Sequence, residues 1–276
     1  SQTYPNKQWI IVINRSGGIP VRIKKMFEDD PRIQIIQVHE ENNIGECMNL
    51  GIQRAAGAYW FKMDDDDAYG PNYILDMVLE MRTVDACISA KPTAFICLEA
   101  KDILLKKRNA LELSCLYGGH KIPSMHICGA TLAGNKTDYG VVQQFSTELR
   151  GCVDKEFVRS CIADGLPIYV GNPYNFAIIR KKDKSLHTWK ISDDELVRDS
   201  DFIGKKSTLN DSSRAPCFVC SPTVLKDHHS PEACSPFKPS SRWICFSTDT
   251  ATSSARLPSV IPTSGCFPSL THVTKC

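Results

Sequence analysis

Along the first 65 or so residues, short unbroken apolar runs alternate with stretches in which apolar residues recur every three or four positions. The runs Trp9-Ile10-Ile11-Val12-Ile13 and Ile33-Gln34-Ile35-Ile36-Gln37-Val38 predict strands of a parallel sheet covered on both faces, and residues 59–63 predict a third. Residues 21–29, between the first two, have helical character. From Ile44, small or apolar residues at Cys47, Met48, Ile52 and Ala55 mark one helical face, with Gly57 as the expected C-cap. Strand, helix, strand, helix, strand is the rhythm of an open α/β sheet with right-handed crossovers. Pro71 then predicts the first turn of a helix carrying Ile74, Leu75, Met77, Val78 and Met81. Further on, residues 94–98, 125–132, 166–170 and 176–179 read as strands. Asp154 reads as the N-cap of a helix bearing Phe157, Val158, Cys161 and Ile162, closed by Gly165. The expected fold class is α/β: an open, mostly parallel, twisted sheet flanked by helices.

The pattern stops near Lys206. Residues 1–206 balance 27 basic against 27 acidic side chains, whereas the last 70 residues hold 14 Ser, 8 Thr, 8 Pro and 6 Cys but 4 acidic residues. Such material buries too little apolar surface to offset a backbone ordering entropy of roughly 1–2 kcal/mol per residue. Two regions are therefore expected: a folded domain over 1–206, and a Ser/Thr/Pro/Cys-rich tail over 207–276, disordered or non-native, whose abrupt onset suits a shifted reading frame. Within the tail, Cys217 and Cys220 with His228, His229, Cys234 and Cys245 can be drawn as a zinc site, but a second close-spaced ligand pair is missing.

A formal charge of +2 provides no electrostatic footprint for nucleic acid, and no apolar run reaches the roughly 18 residues of a membrane span. Nothing at the start reads as a signal peptide. Cys47, Cys87, Cys97, Cys115, Cys128, Cys152 and Cys161 lie scattered in apolar segments without metal-like spacing, as reduced thiols of a cytoplasmic protein would.

The chemistry concentrates where the third strand runs into Asp64-Asp65-Asp66-Asp67. In open α/β sheets ligands bind at the carboxyl ends of strands. Alternate residues of an extended segment point the same way, so Asp64 and Asp66 can converge on one hard cation, which would also relieve their mutual repulsion. A cation held by one or two carboxylates keeps positions open for phosphate oxygens. There is no Walker pattern and no dinucleotide fingerprint, so phosphoryl transfer of the P-loop or kinase kind is not expected.

The order of motifs resembles the family 2 glycosyltransferases, which have the GT-A fold. The resemblance rests on residues 1–6 before the first strand, Asn43-x-Gly45, Asn49-x-Gly51, Ala56-Gly57-Ala58-Tyr59, and Lys62-Met63-Asp64-Asp65-Asp66-Asp67 with Pro71. It implies that Asp64-Asp65-Asp66 is the Asp-x-Asp motif, holding Mn²⁺ or Mg²⁺ on the diphosphate of a nucleotide sugar, with Asp66 the direct ligand beside Asp64. Asp154, in Gly151-Cys152-Val153-Asp154 with Phe157, is similar in position to the general base of inverting members, although Val153 stands where the family has an acidic residue. His187-Thr188-Trp189 resembles a downstream segment that closes over the donor, which gives His187 a phosphate or the metal and Trp189 a sugar to stack on. Asn14 is placed for a base or ribose contact, and Asn43, Gly45 and Asp65 for the donor. In the family one further apolar strand and a base-binding loop ordinarily precede the strand at residues 9–13; the expected domain is thus an N-terminally truncated one.

The function implied is metal-dependent, inverting transfer of a sugar, of hexosyltransferase type, from a nucleotide-diphosphate sugar to a glycan or lipid-linked hydroxyl acceptor. The setting implied is polysaccharide biosynthesis in the cytoplasm at the inner face of the cell membrane, with peripheral association. Two rivals stand beside it: a nucleotidyltransferase, which also uses an Asp-rich strand end, and an inactive fragment retaining the sheet and metal site.

Overall fold

A computed structural model describes residues 2–84, 86–111, 113–116, 127–136, 144–187, 189–205 and, as backbone, 241–247. The chain opens with β1 (Lys7–Asn14), α1 (Val21–Phe27), β2 (Ile33–Val38), α2 (Ile44–Arg54) and β3 (Tyr59–Met63). The alternation expected for this stretch is therefore present element by element. Next come β4 (Ala68–Tyr69), α3 (Tyr73–Val84), β5 (Ile88–Ala90), β6 (Phe95–Leu98), β7 (Ile103–Lys107) and β8 (Ser114–Leu116). A 3-10 turn (Gly129–Thr131) leads to β9 (Ala133–Asn135), α4 (Val153–Ala163), β10 (Ile168–Val170) and β11 (Phe176–Arg180). A second 3-10 turn (Lys184–Leu186), α5 (Asp193–Arg198), β12 (Ser200–Lys205) and β13 (Ser241–Ser247) complete the described elements.

Eight strands form the main sheet in the order β2-β1-β13-β3-β9-β5-β10-β8. Pairing directions make β2, β1, β3, β5 and β10 mutually parallel, with β13, β9 and β8 reversed. The sheet is thus open but mixed rather than mostly parallel: β1–β2 and β5–β10 are its parallel neighbours, and the interposed β13 and β9 and the edge strand β8 make the other contacts antiparallel. A second sheet, β12-β7-β6-β11-β4, stands beside it.

Two apolar layers cover the main sheet. One contains Met48 and Ile52 of α2 and Phe157, Val158, Cys161 and Ile162 of α4, packed with Ile10, Val12 and Trp60. The other contains Tyr73, Ile74, Met77, Val78 and Met81 of α3 with Phe61 and Met63. Strand alternation explains the division, since Trp60 and Phe61 are neighbours on β3 whose side chains serve opposite faces. Trp60 meets Phe145 and Phe157 edge-on at centroid distances of 5.9 and 6.0 Å, and those two rings stack at 4.2 Å. Each such pair contributes about 0.5–1.5 kcal/mol beyond the area it buries.

Local expectations needed correction at four places. α2 ends before Gly57: the Ala55 N–H bonds back to the Gly51 and Ile52 carbonyls and Ala55 itself leaves in an extended conformation, so no left-handed cap is required. Pro71 lies in the turn ahead of α3, its carbonyl accepting from the Thr3 N–H at 2.7 Å. Of the stretch expected as a strand over 125–132, residues 125 and 126 lie outside the described residues and the rest contains the 3-10 turn at Gly129–Thr131. The Thr131 hydroxyl closes that turn by donating to the Cys128 carbonyl at 2.8 Å while accepting from the Lys91 N–H at 2.9 Å. Finally, the N-cap of α4 is Cys152, at φ +56°, so Asp154 is the second helical residue and its side chain is not the cap. Gly165, at φ +76°, does close α4 as expected.

Of the region after Lys206, the described residues are Ser241–Ser247: β13 pairs antiparallel with β1 over seven positions and with β3 over five, inside the main sheet. The cysteine and histidine set drawn as a zinc site lies otherwise outside the described residues.

Candidate active site

β3 ends at Met63, and the four aspartates follow at once. One carboxylate oxygen from each of Asp64, Asp66 and Asp67 lies within 4.8 Å of the others. Asp65 is exposed and is not a member of this group. Asp67 is anchored from below, its Oδ1 accepting from the Ile179 N–H of β11 at 3.0 Å. Burial, followed by the charges of Asp64 and Asp66, raises its carboxyl well above the usual range. Three hard oxygen donors crowded at unfavourable mutual charge fit a divalent cation, whose arrival would remove that repulsion.

Tyr69 fixes the loop. Its hydroxyl accepts from the Asp64 N–H and donates to the Ala130 carbonyl, both at 2.8 Å, and so joins the aspartate loop to the Gly129–Thr131 turn. The ring is held edge-on by Tyr73 at 4.9 Å and tilted against Phe176 at 5.1 Å. Burial, then the nearby Asp64 and Asp67, keep the phenol protonated by raising its pKa well above the usual value.

Asp154 reaches the same place from the other side. Its carboxylate packs over Gly129, where an added Cβ would come within 2.6 Å of Oδ2, so glycine is what lets the turn approach α4 so closely. The Lys62 ammonium lies 2.7 Å from Asp64 Oδ1 and 3.5 Å from Asp154 Oδ2. The structure therefore brings together Asp64, Asp66 and Asp154, which the sequence placed some ninety residues apart.

Other candidates have different surroundings. Asn43 caps α2 in a reciprocal box with Glu46 and donates from Nδ2 to the Thr147 carbonyl. A Cβ at Gly45 would meet the Ser146 carbonyl oxygen at 1.9 Å. Asn49 adds two bonds to the Phe145 backbone, at 2.8 and 3.0 Å. These three residues clamp the start of α2 to the 145–147 segment. Asn14, at the carboxyl end of β1, donates to the Asn42 carbonyl at 3.1 Å. His187 is buried, with Nε2 3.4 Å from the Lys181 carbonyl, and lies outside the aspartate group. Burial and then Arg180 lower its pKa, with Asp66 acting in the opposite sense. Trp189 packs against the cluster of Ile96, Leu98, Leu105 and Leu196, with the Arg180 guanidinium 5.5 Å from its ring centroid. Its carbonyl accepts from Arg180 at 2.9 Å.

Lys62 and Tyr69 were not singled out from the sequence. Lys62 had a signal, being the one charged residue in the strand Tyr-Trp-Phe-Lys-Met. Tyr69 had none, because its two partners are set by the tertiary fold.

Residues 1–112 match the family model described as glycosyl transferase family 2. The matched stretch includes the aspartate loop and covers less than half of the chain. Among solved structures, the chain is similar to S. aureus TarS 1-349 at 13% identity and a TM-score of 0.45, covering 64% of this chain and 53% of that one. For the same protein in complex with UDP-GlcNAc the values are 13% and 0.47, covering 71% and 57%. The chain thus spans little more than half the length of these structures. A comparison with curated proteins gives no match. No helix among the described residues is long and apolar enough to cross a membrane.

Proposed function

We propose that the protein transfers a sugar from a nucleoside-diphosphate sugar to a hydroxyl acceptor, with inversion and with a divalent cation. The observation that carries this reading is the meeting, at the carboxyl end of β3, of the Asp64, Asp66 and Asp67 carboxylates with Asp154 across a shared lysine. Asp64 and Asp66 would hold Mn²⁺ or Mg²⁺, and Asp67, tied to β11, would keep the loop in place. The cation supplies charge neutralisation for the departing diphosphate. Asp154 accepts the proton of the acceptor hydroxyl as that oxygen attacks the anomeric carbon, so no glycosyl-enzyme nucleophile is needed. Tyr69 holds the Asp64 backbone against the 3-10 turn, which fixes the distance between the cation-binding loop and the base. The acceptor class that suits the family is a glycan or lipid-linked hydroxyl, handled in the cytoplasm.

The test is incubation with a panel of nucleoside-diphosphate sugars, with and without Mn²⁺, followed by separation of products. Free sugar, or sugar on an added acceptor, together with nucleoside diphosphate supports transfer; the anomeric configuration of the product, read by NMR, decides inversion. Nucleoside monophosphate with sugar phosphate points to cleavage within the diphosphate and defeats the reading, as does silence with every donor.

A further inference from the structure

β3 presents Trp60 and Lys62 on one face, because alternate residues of a strand share a side. α4 presents Asp154 and Phe157 on one face, because residues three apart on a helix are neighbours. The two pairs stack as rungs: Trp60 meets Phe157 in the core, and one step nearer the strand end Lys62 meets Asp154. The Lys62 side chain is 1% exposed, whereas Asp64 and Asp154 are 19% and 30% exposed. A fully buried ammonium is thus aimed outward between two half-buried carboxylates. An ammonium carries three donors and no acceptor, so it can serve both at once.

We propose that Lys62 is a positioning residue of the transfer reaction, fixing the Asp154 carboxylate relative to Asp64 so that the base faces the donor held by the aspartate loop. The inference rests on the function proposed above. The hydrophobic rung beneath it makes the tether rigid: Trp60 and Phe157 set the separation of strand and helix, and Lys62 converts that separation into a fixed distance between two acidic groups. Lys62 also sits on Asp64 as a cation of lower charge, so it opposes a divalent ion at that carboxylate.

The experiment uses the full chain with Lys62→Met, which keeps the unbranched shape and removes the charge, alone and combined with Asp154→Asn. Lys62→Met is expected to lower kcat by about 10- to 100-fold, the scale of a displacement of about 1 Å, with donor KM changed by less than about twofold. In the Asp154→Asn background it should cause no further loss, because its effect passes through Asp154. A lysine that serves stability alone would subtract the same factor in both backgrounds, and that additivity would overturn the proposal. Calorimetric titration with Mn²⁺ supplies a readout that needs no turnover: affinity should rise severalfold in Lys62→Met, since a positive charge has left Asp64. If Lys62→Met does not fold, Asp154→Ala carries the test; Mn²⁺ affinity should fall severalfold as the ammonium remains on Asp64 alone, and unchanged affinity overturns the tether. A wild-type chain that transfers no sugar, yet shows these affinity shifts, refutes the proposed function and keeps the tether. Turnover with flat affinities refutes the tether alone.

Discussion

Among the described residues two lysines, Lys62 and Lys91, are buried in the core, and their surroundings differ in kind. Lys91, at 0% exposure, donates to Asp76 Oδ2 at 2.7 Å and to the Asn172 carbonyl at 3.2 Å, with Glu80 at 4.0 Å. Asn172 in turn donates to both Asp76 oxygens and to Glu80, so the cluster closes on itself between α3 and the loop before β11. Lys62 is shared between Asp64, a member of the three-carboxylate group, and Asp154 on a separate helix. A buried ion pair is weak evidence of stabilisation, but removing one member leaves the other charge uncompensated. The lesson is that burial of a charge does not itself mark function; what separates the two is whether the partners are tied to each other, as Asn172 ties those of Lys91, or include a member of a carboxylate group able to hold a cation, as Asp64 is.

Asp154→Asn should have the largest effect on the Lys62 side of this comparison, lowering turnover by roughly 10² to 10⁴ with donor affinity nearly unchanged. Its melting temperature should stay close to wild type, because Cys152 rather than Asp154 occupies the cap position. A fall in melting temperature with unaltered turnover per folded molecule would remove Asp154 from the mechanism.

On the closed side, Lys91→Met should cost about 3–5 kcal/mol of stability, the usual penalty for stripping one partner from a buried pair. Denaturant unfolding reads this directly. Whatever fraction stays folded should keep its Mn²⁺ affinity, and a selective loss of that affinity would erase the distinction between the two lysines.

Asp66→Asn separates cation binding from folding. It removes one of three crowded carboxylates, so Mn²⁺ affinity should fall by about tenfold or more while the apo protein loses no stability, like-charge repulsion having been relieved. An unchanged calorimetric trace would refute the assignment of that loop.

The smallest effect is expected from Trp189→Phe. The ring packs on Ile96, Leu98, Leu105 and Leu196 and under Arg180, so the change should reduce stability by about 1–2 kcal/mol, within the range for shape changes in a packed cluster. Donor KM should move by less than twofold; a large rise would show that the indole meets the sugar.

Legibility from sequence followed the range of the interaction involved. β1, β2 and β3 were readable because their apolar runs are local, and α2 because Cys47, Met48 and Ile52 fall on one face. The crowding of Asp64 and Asp66 was readable for the same reason: adjacent carboxylates at a strand end are a local anomaly. What resists a sequence reading is a residue whose meaning depends on a distant partner. Asn43 and Gly45 look like ligand-contact residues, yet the atoms that meet them belong to residues about a hundred positions away. Lys62 breaks the apolar run of β3, but only the docking of α4 shows why a charge is tolerated there. β7 and β12, the antiparallel pair at the far edge of the second sheet, went unread because Ile103–Lys107 and Ser200–Lys205 are separated by most of the chain.

The place of β13 has a consequence for the order in which the protein can be made. Within the main sheet, β1 and β3 meet through that strand, which is the last described element to leave the ribosome. Until residue 247 has emerged, β1 and β3 each present an unpaired edge. Sheet closure is then a late, long-range event, slow because loop-closure entropy comes before any pairing gain, and the open edges invite association between nascent chains. Chains that stop short of β13 should consequently partition into aggregates during synthesis, while chains released complete should not.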